Sequence, residues 1–187
     1  MKLLHLDSAI TGDSSVSRKL SGDAVSHLQA SNPGIEVIYR DLVAAPVDHF
    51  TLGDMPAPGE SNAILDEFLD ADMVVIGAPM YNFTLPSQLK AWIDRILVAG
   101  KTFRYGETGP VGLAGDKRVI IALSRGGLYG PGTPNASVEH LETYLKAVFA
   151  FIGVTPHFVI AEGTMAGPAE REAAMARADR SISALAA

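Results

Sequence analysis

Polar and apolar positions alternate along this chain in two rhythms. Short, mostly apolar runs occur at residues 2–6, 35–39, 73–77, 117–123 and 158–161. Runs of this length bounded by turn-forming residues predict buried strands. Between them, apolar residues recur every third or fourth position. Val16, Leu20, Ala24 and Leu28 share one helical face, as do Ile64, Leu65 and Phe68, and as do Leu89, Trp92, Ile93, Ile96 and Leu97. The spacing predicts helices from the serines at 14–17 to about residue 31, over 61–70, from 88 to about 98, over 138–151 and over 168–185. Asn32, Pro33 and Gly34 end the first of these. Residues 41–60 hold several Pro and Gly and predict a long loop with a helical turn. Residues 100–112 read as a glycine-punctuated excursion, and 124–134 as a Gly/Pro-rich loop.

The order is strand and helix in strict alternation, five times over. That argues for a parallel, doubly wound sheet covered on both faces. Five strands fit the flavodoxin-like order 2-1-3-4-5. The expected class is therefore α/β, as a single domain over residues 1–187, a length that buries a sizeable core.

Composition narrows the function classes. The chain has no Cys, so neither a disulfide framework nor a thiolate metal site can form. His5, His27, His49, His140 and His157 are scattered without ligand spacing, and no metal site is expected. Net charge is −6 and no basic cluster suited to a nucleic-acid backbone occurs, so no such partner is expected. No apolar run approaches the roughly 18 residues of a membrane span. A strand pattern begins almost at the first residue, with no signal-peptide core. The expectation is a soluble, cytoplasmic protein.

In open sheets of this kind ligands sit beyond the carboxyl ends of the strands. Three loops fall there. The first, residues 8–17, offers the hydroxyls of Ser14, Ser15 and Ser17 and the free N–H groups of a helix start, a ready site for a phosphate dianion. Ordinary capping by Ser15 accounts for the same residues without a ligand. The second, 79–87, carries Met80, Tyr81, Asn82 and Phe83, which suit a flat, partly polar ligand or a loop that buries its own aromatics. The third begins Ser124-Arg125-Gly126-Gly127; paired glycines let backbone N–H groups approach a ligand closely, or simply make a tight turn. There is no GxxxxGK[ST] and no GxGxxG after the first strand, so nucleoside triphosphate and Rossmann dinucleotide sites lack support. A phosphate site, an aromatic wall and a donor-rich turn on one edge describe a site for flavin mononucleotide. Trp92 falls at core spacing, and Asp7, Asp94 and Asp116 read as surface or loop-end groups.

With these residues in place the chain resembles the FMN-dependent NADH-azoreductase (NADH:quinone oxidoreductase) family. Ser15-Val16-Ser17, Pro79-Met80-Tyr81-Asn82-Phe83, Phe103-Arg104-Tyr105, Ser124-Arg125-Gly126-Gly127 and Phe151-Ile152-Gly153-Val154 carry the resemblance, which spans nearly the whole chain. It implies a homodimer with one FMN per subunit and active sites at the interface. It implies that Ser15, Val16 and Ser17 hold the phosphate, that Met80, Tyr81, Asn82 and Phe83 contact the ring and ribityl chain, and that Ser124, Arg125, Gly126 and Gly127 hold the pyrimidine edge. Tyr105 and Phe151 would line the slot for quinones and azo compounds, or pack the interface. NADH as donor is implied by the resemblance alone. No catalytic side chain is expected, since the redox chemistry belongs to the flavin. One departure stands out: Ala9 occupies a position where the family often has a phosphate-binding Ser. The competing readings are a flavodoxin-like electron carrier that turns over no small substrate and a flavin-free interaction module.

Overall fold

A computed structural model describes residues 1–55 and 61–186. Part of the expected long loop, 56–60, lies outside the described residues. In chain order the elements are β1 (Lys2–Asp7), α1 (Val16–Ser31), β2 (Glu36–Asp41), α2 (Ala63–Asp70), β3 (Met73–Pro79), α3 (Ser87–Ile96), β4 (Phe103–Gly106), β5 (Gly109–Gly112), β6 (Arg118–Arg125), α4 (Glu142–Phe151), β7 (His157–Glu162) and α5 (Pro168–Ser183). Five strands form one sheet in the order β2-β1-β3-β6-β7, every neighbouring pair parallel. Counting only the strands of this sheet, that is the expected 2-1-3-4-5. The expected helical turn in the long loop is a 3₁₀ turn at Leu52–Asp54.

The pleat assigns side chains to two cores, because successive strand residues point to opposite faces. Leu4 and Leu6 of β1, Val74, Ile76 and Ala78 of β3, and Val119, Ile121 and Leu123 of β6 pack against α2, α3 and α4. Their alternates, Leu3, Met73, Val75, Ile120 and Ala122, pack with Leu20, Ala24 and Leu28 of α1 and Ala174, Ala178 and Ile182 of α5. Trp92 is fully buried, edge-on to Phe68 at 5.9 Å, as its spacing predicts. The small residues of α1 and α5 let both helices lie close to the sheet. At Gly77 of β3 the packing leaves no room for a side chain: a Cβ would overlap the Asp7 carboxylate of β1 and crowd the Ser17 carbonyl of α1.

Two regions depart from the sequence reading. Residues 103–112 are an antiparallel hairpin, β4 with β5, rather than an irregular excursion. Its second strand, Gly-Pro-Val-Gly, has poor strand propensity. Tertiary contacts hold it instead. Phe103 packs on Phe151 with centroids 4.5 Å apart, and Gly112 lies so close to Gly153 that any Cβ would overlap the Gly153 backbone. The fourth helix starts at Glu142, not 138, because the Glu139 carboxylate caps it, accepting from the N–H groups of Leu141, Glu142 and Thr143 at 2.7–3.1 Å.

Candidate active site

The carboxyl ends of the strands are nearly flush. Asp7 pairs with Gly77, Pro79 with Ser124, and Arg125 with Glu162. The loops that leave them must therefore meet at one edge, and they do.

The first loop is locked from below. Ser8, fully buried, donates from Oγ to the Gly77 carbonyl at 2.7 Å. Arg18 on α1 reaches back with Nε and Nη2 to the Ala9 carbonyl (3.2 and 2.9 Å) and grips Asp41 with both terminal nitrogens at 2.8 Å. That guanidinium holds the Asp41 carboxyl below its ordinary value, burial opposing it. Asp7 is not a surface group: it is 3% exposed and accepts from Ser21 Oγ at 2.7 Å and from the Tyr39 hydroxyl at 3.2 Å. The correction follows from tertiary partners on α1 and β2 that no local pattern reveals. Beneath it His5 is buried, 3.5 Å from the Asp7 carboxylate, and its burial lowers the imidazole pKa.

Above this lock, Ser15 caps α1, its Oγ accepting from the Arg18 N–H at 3.3 Å and lying 3.1 Å from Ser17 Oγ. Among the described residues the N–H groups of Val16 and Ser17 donate to no protein acceptor. A 16-residue helix thus opens with two bare donors and its positive dipole end at the groove. Ser17 itself is fully buried, backbone included, and lines none of the groove's cavities, so Val16 is the bare donor that this helix start presents to the groove.

The second loop is a tight hairpin turn. Tyr81 and Thr84 exchange both backbone hydrogen bonds, at 2.9 and 3.1 Å, across Asn82 and Phe83. Both central residues lie in the left-handed region, with φ of 48° and 73°. Turns of this hand favour Asn and Gly, so Asn82 fits and Phe83 is strained. The strain is held by the neighbourhood: the His140 N–H donates to the Phe83 carbonyl at 3.0 Å, and the Tyr81 hydroxyl accepts from the Ile10 N–H at 3.1 Å. An aromatic ring is thereby projected from a position the backbone resists, half-exposed at the groove.

The third loop is braced by a fourth that the sequence reading missed. Residues 163–165, directly after β7, donate N–H groups to the carbonyls of Gly127, Arg125 and Gly126 at 3.0, 3.2 and 3.0 Å. The N–H groups of Gly126 and Gly127 are left without an acceptor among the described residues. Arg125 does not line the groove. Its guanidinium is 2% exposed and turns into a cluster of carboxylates, 3.1 Å from Glu142, 3.4 Å from Glu139 and 3.4 Å from Glu162. Glu162 in turn accepts from the Tyr129 and Gly130 N–H groups at 3.1 Å each. Burial raises the Glu139 carboxyl, but its backbone hydrogen bonds and Arg125 outweigh that and hold it below its ordinary value.

The four loops enclose a continuous groove. One cavity, about 550 Å³, is walled by Met80, Asn82, Phe83, Gly126, Gly127 and Tyr129. A second, about 610 Å³, lies across Met80 and Tyr81 towards Ile10. A third, about 190 Å³, runs from Met80 and Gly126 past Ser124 to Ser14, Ser15 and Val16. Of the sequence-selected residues the structure brings Ser15, Val16, Met80, Tyr81, Asn82, Phe83, Ser124, Gly126 and Gly127 to this groove. Tyr105 and Phe151 it does not: both rings stack on Phe103 beside the hairpin, Tyr105 largely exposed. Tyr129, Thr164, Met165 and Arg171 line the groove and were missed. The signal was available, since the loop after the fifth strand ends at the same edge. Among the described residues no cluster of metal-ligating side chains occurs, and no helix is long and apolar enough to cross a membrane.

Comparison with known proteins agrees with this geometry. A family model described as flavodoxin-like fold matches residues 1–186. The "FMN-dependent NADH:quinone oxidoreductase 2" of Bradyrhizobium diazoefficiens is 56% identical, over 99% of this chain and 98% of that relative. The crystal structure of an azoreductase from Bacillus anthracis str. Sterne superposes with a TM-score of 0.87 at 30% identity, covering 97% of each chain. An FMN-dependent NADH-azoreductase from Bacillus anthracis str. Ames Ancestor, solved in complex with FMN, superposes with a TM-score of 0.84 at 27% identity, over 98% of this chain and 96% of that one.

Proposed function

The chain belongs to the flavodoxin-like fold family of FMN-dependent NADH:quinone oxidoreductases, and from that membership we propose how its groove performs the reaction. The protein is an FMN-dependent oxidoreductase that takes electrons from NADH and reduces quinones and azo compounds. The observation that carries the assignment of the site is the placement of bare backbone donors at both ends of one groove, Val16 at one and Gly126 and Gly127 at the other. FMN has an anionic phosphate at one end and pyrimidine carbonyls at the other, so its polarity fits that spacing of donors.

When bound, FMN supplies the redox chemistry, accepting hydride from NADH and passing two electrons to the acceptor, with solvent completing the protons. The protein's residues bind and orient. The opening turn of α1, with the Ser15 hydroxyl, would hold the phosphate; the Ser14 hydroxyl already donates to the Thr11 carbonyl at 2.7 Å. Met80, Asn82 and Phe83 would wall the ring, with the Asn82 amide available to its polar edge. The Gly126 and Gly127 N–H groups, bare of protein acceptors, would donate to the pyrimidine edge, where reduction places negative charge. They stabilise it without reorganising, because residues 163–165 and Glu162 already fix the loop. Arg125 acts through that scaffold rather than on the ligand. An azo bond needs four electrons to part into two amines and so consumes two NADH.

The same reading includes a homodimer, in which Tyr105 and Phe151 of one subunit border the acceptor slot of the other. Its support is the aromatic and apolar surface of the hairpin region, where Tyr105 is 75% exposed beside partly exposed Val111 and Leu113. The reading also puts the enzyme in the cytoplasm, where NADH is available. The test is NADH oxidation by the FMN-loaded protein with benzoquinone, followed at the NADH absorbance, together with light scattering for the oligomeric state. An electron carrier without small-molecule turnover would show no FMN-dependent oxidation above background.

A further inference from the structure

A phosphate dianion held only by N–H and hydroxyl donors keeps its charge uncompensated, and the groove contains one cation placed to offset it. The cavity at the start of α1 is lined by Thr11, Ser14, Ser15, Val16, Thr164 and Arg171 among others, and Arg171 is its only charged lining residue. The two cations on α1, Arg18 and Lys19, are already engaged. Arg18 is forked onto Asp41 and the Ala9 carbonyl, and Lys19 pairs with Asp23 at 2.6 Å. Arg171 has no carboxylate partner among the described residues. Among the described residues its guanidinium makes one hydrogen bond, to the Thr164 carbonyl, at the limit of 3.5 Å.

Its place in the fold is electrostatically anomalous. Arg171 sits in the opening turns of α5, a 16-residue helix that begins with Pro168. A cation there faces the positive end of the helix dipole, where Glu170 is the residue type the dipole favours. The start of α1, a second positive end, borders the same cavity. An unpaired guanidinium between two positive helix ends is poorly placed in the protein alone and well placed once an anion lies among them. Asp13 shares the outer cavity with Arg171, Lys19 and Met175, but it does not line the inner one, so the inner cavity stays free of carboxylates.

We propose that Arg171 clamps the flavin phosphate from α5 and makes the groove select FMN over riboflavin. The proposal rests on the FMN reading above. A guanidinium without a carboxylate partner also supplies a charged contact in a phosphate site where Ala9 offers no hydroxyl.

The test compares FMN with riboflavin, which lacks the phosphate, by quenching of flavin fluorescence on titration with apoprotein. Wild type, Arg171→Ala, Arg171→Lys and Arg177→Ala are measured at low and high salt; Arg177 is an exposed cation further along the same helix. Arg171→Ala is expected to weaken FMN binding about tenfold or more and to leave riboflavin binding unchanged. Arg171→Lys should recover part of the loss, and the salt dependence of FMN binding should slacken in Arg171→Ala. Arg177→Ala should match wild type. Equal FMN affinity in Arg171→Ala and Arg177→Ala overturns the proposal and leaves the FMN reading intact. Equal loss for FMN and riboflavin also overturns it, since Arg171 would then serve only the fold. A wild-type protein that binds neither flavin overturns the reading on which the proposal rests.

Discussion

Replacing Arg125 by Met separates a scaffold from a ligand contact. The side chain is 2% exposed and faces three carboxylates at 3.1–3.4 Å. Removing one partner of a buried charge cluster costs about 3–5 kcal/mol, because the remaining charges lose their compensation. Here each carboxylate keeps something. Glu139 retains three backbone N–H donors, Glu162 retains two, and Glu142 retains Lys146 at 2.6 Å. The loss should therefore lie at the lower end, about 3 kcal/mol. For a chain of this length that lowers Tm by about 6–12 °C. The assay is urea unfolding of the flavin-free protein followed by circular dichroism, so that ligand binding cannot contribute. Arg125→Met combined with Glu142→Gln should recover part of the loss, since one uncompensated charge disappears with the cation. An apoprotein of unchanged stability whose FMN affinity has collapsed would refute the reasoning and return Arg125 to the binding surface.

Gly77→Ala should be far more damaging to folding than its single methyl suggests. The Cβ would overlap the buried Asp7 carboxylate and crowd the Ser17 backbone, so a loss of about 2 kcal/mol or more is expected by denaturation; a neutral result would mean that α1 is free to move off the sheet. Phe83→Gly removes a left-handed non-glycine residue, so apoprotein stability should hold or rise by up to about 1 kcal/mol. Its kcat/KM for quinones should fall with the ring wall, and a stability loss of similar size to Phe83→Ala would contradict the strain. The depressed carboxyls of Glu139 and Asp41 contribute stability that is present above their ordinary values of 4.5 and 3.8 and lost as pH falls through their lower folded-state values. Glu139→Gln should thus flatten the acid side of the stability profile, and an unchanged acid slope would remove Glu139 from that role.

The sheet was legible because its strands are short apolar runs buried on both faces, and the unbroken apolar runs at 119–123 and 73–77 need no tertiary knowledge to interpret. Ser15 was legible as a cap because its hydroxyl acts within its own turn. The hairpin 103–112 was not, since Pro110 and the glycines carry no strand signal and its cause lies at Phe151 and Gly153. Asp7 and Arg125 misled for a related reason: each is a charged residue beside a loop, and the partners that bury it come from distant segments. The left-handed turn at Asn82 and Phe83 also escaped notice, because Asn-Phe is not the Asn-Gly pair that advertises such a turn.

The central claim is that three backbone donors at the groove, at Val16, Gly126 and Gly127, are bare until flavin satisfies them. Amide hydrogen exchange resolved by ¹⁵N NMR, with and without FMN, addresses it directly. The account predicts rapid exchange at all three amides in the free protein and protection of all three on loading. Full FMN occupancy with these amides still exchanging freely would contradict it.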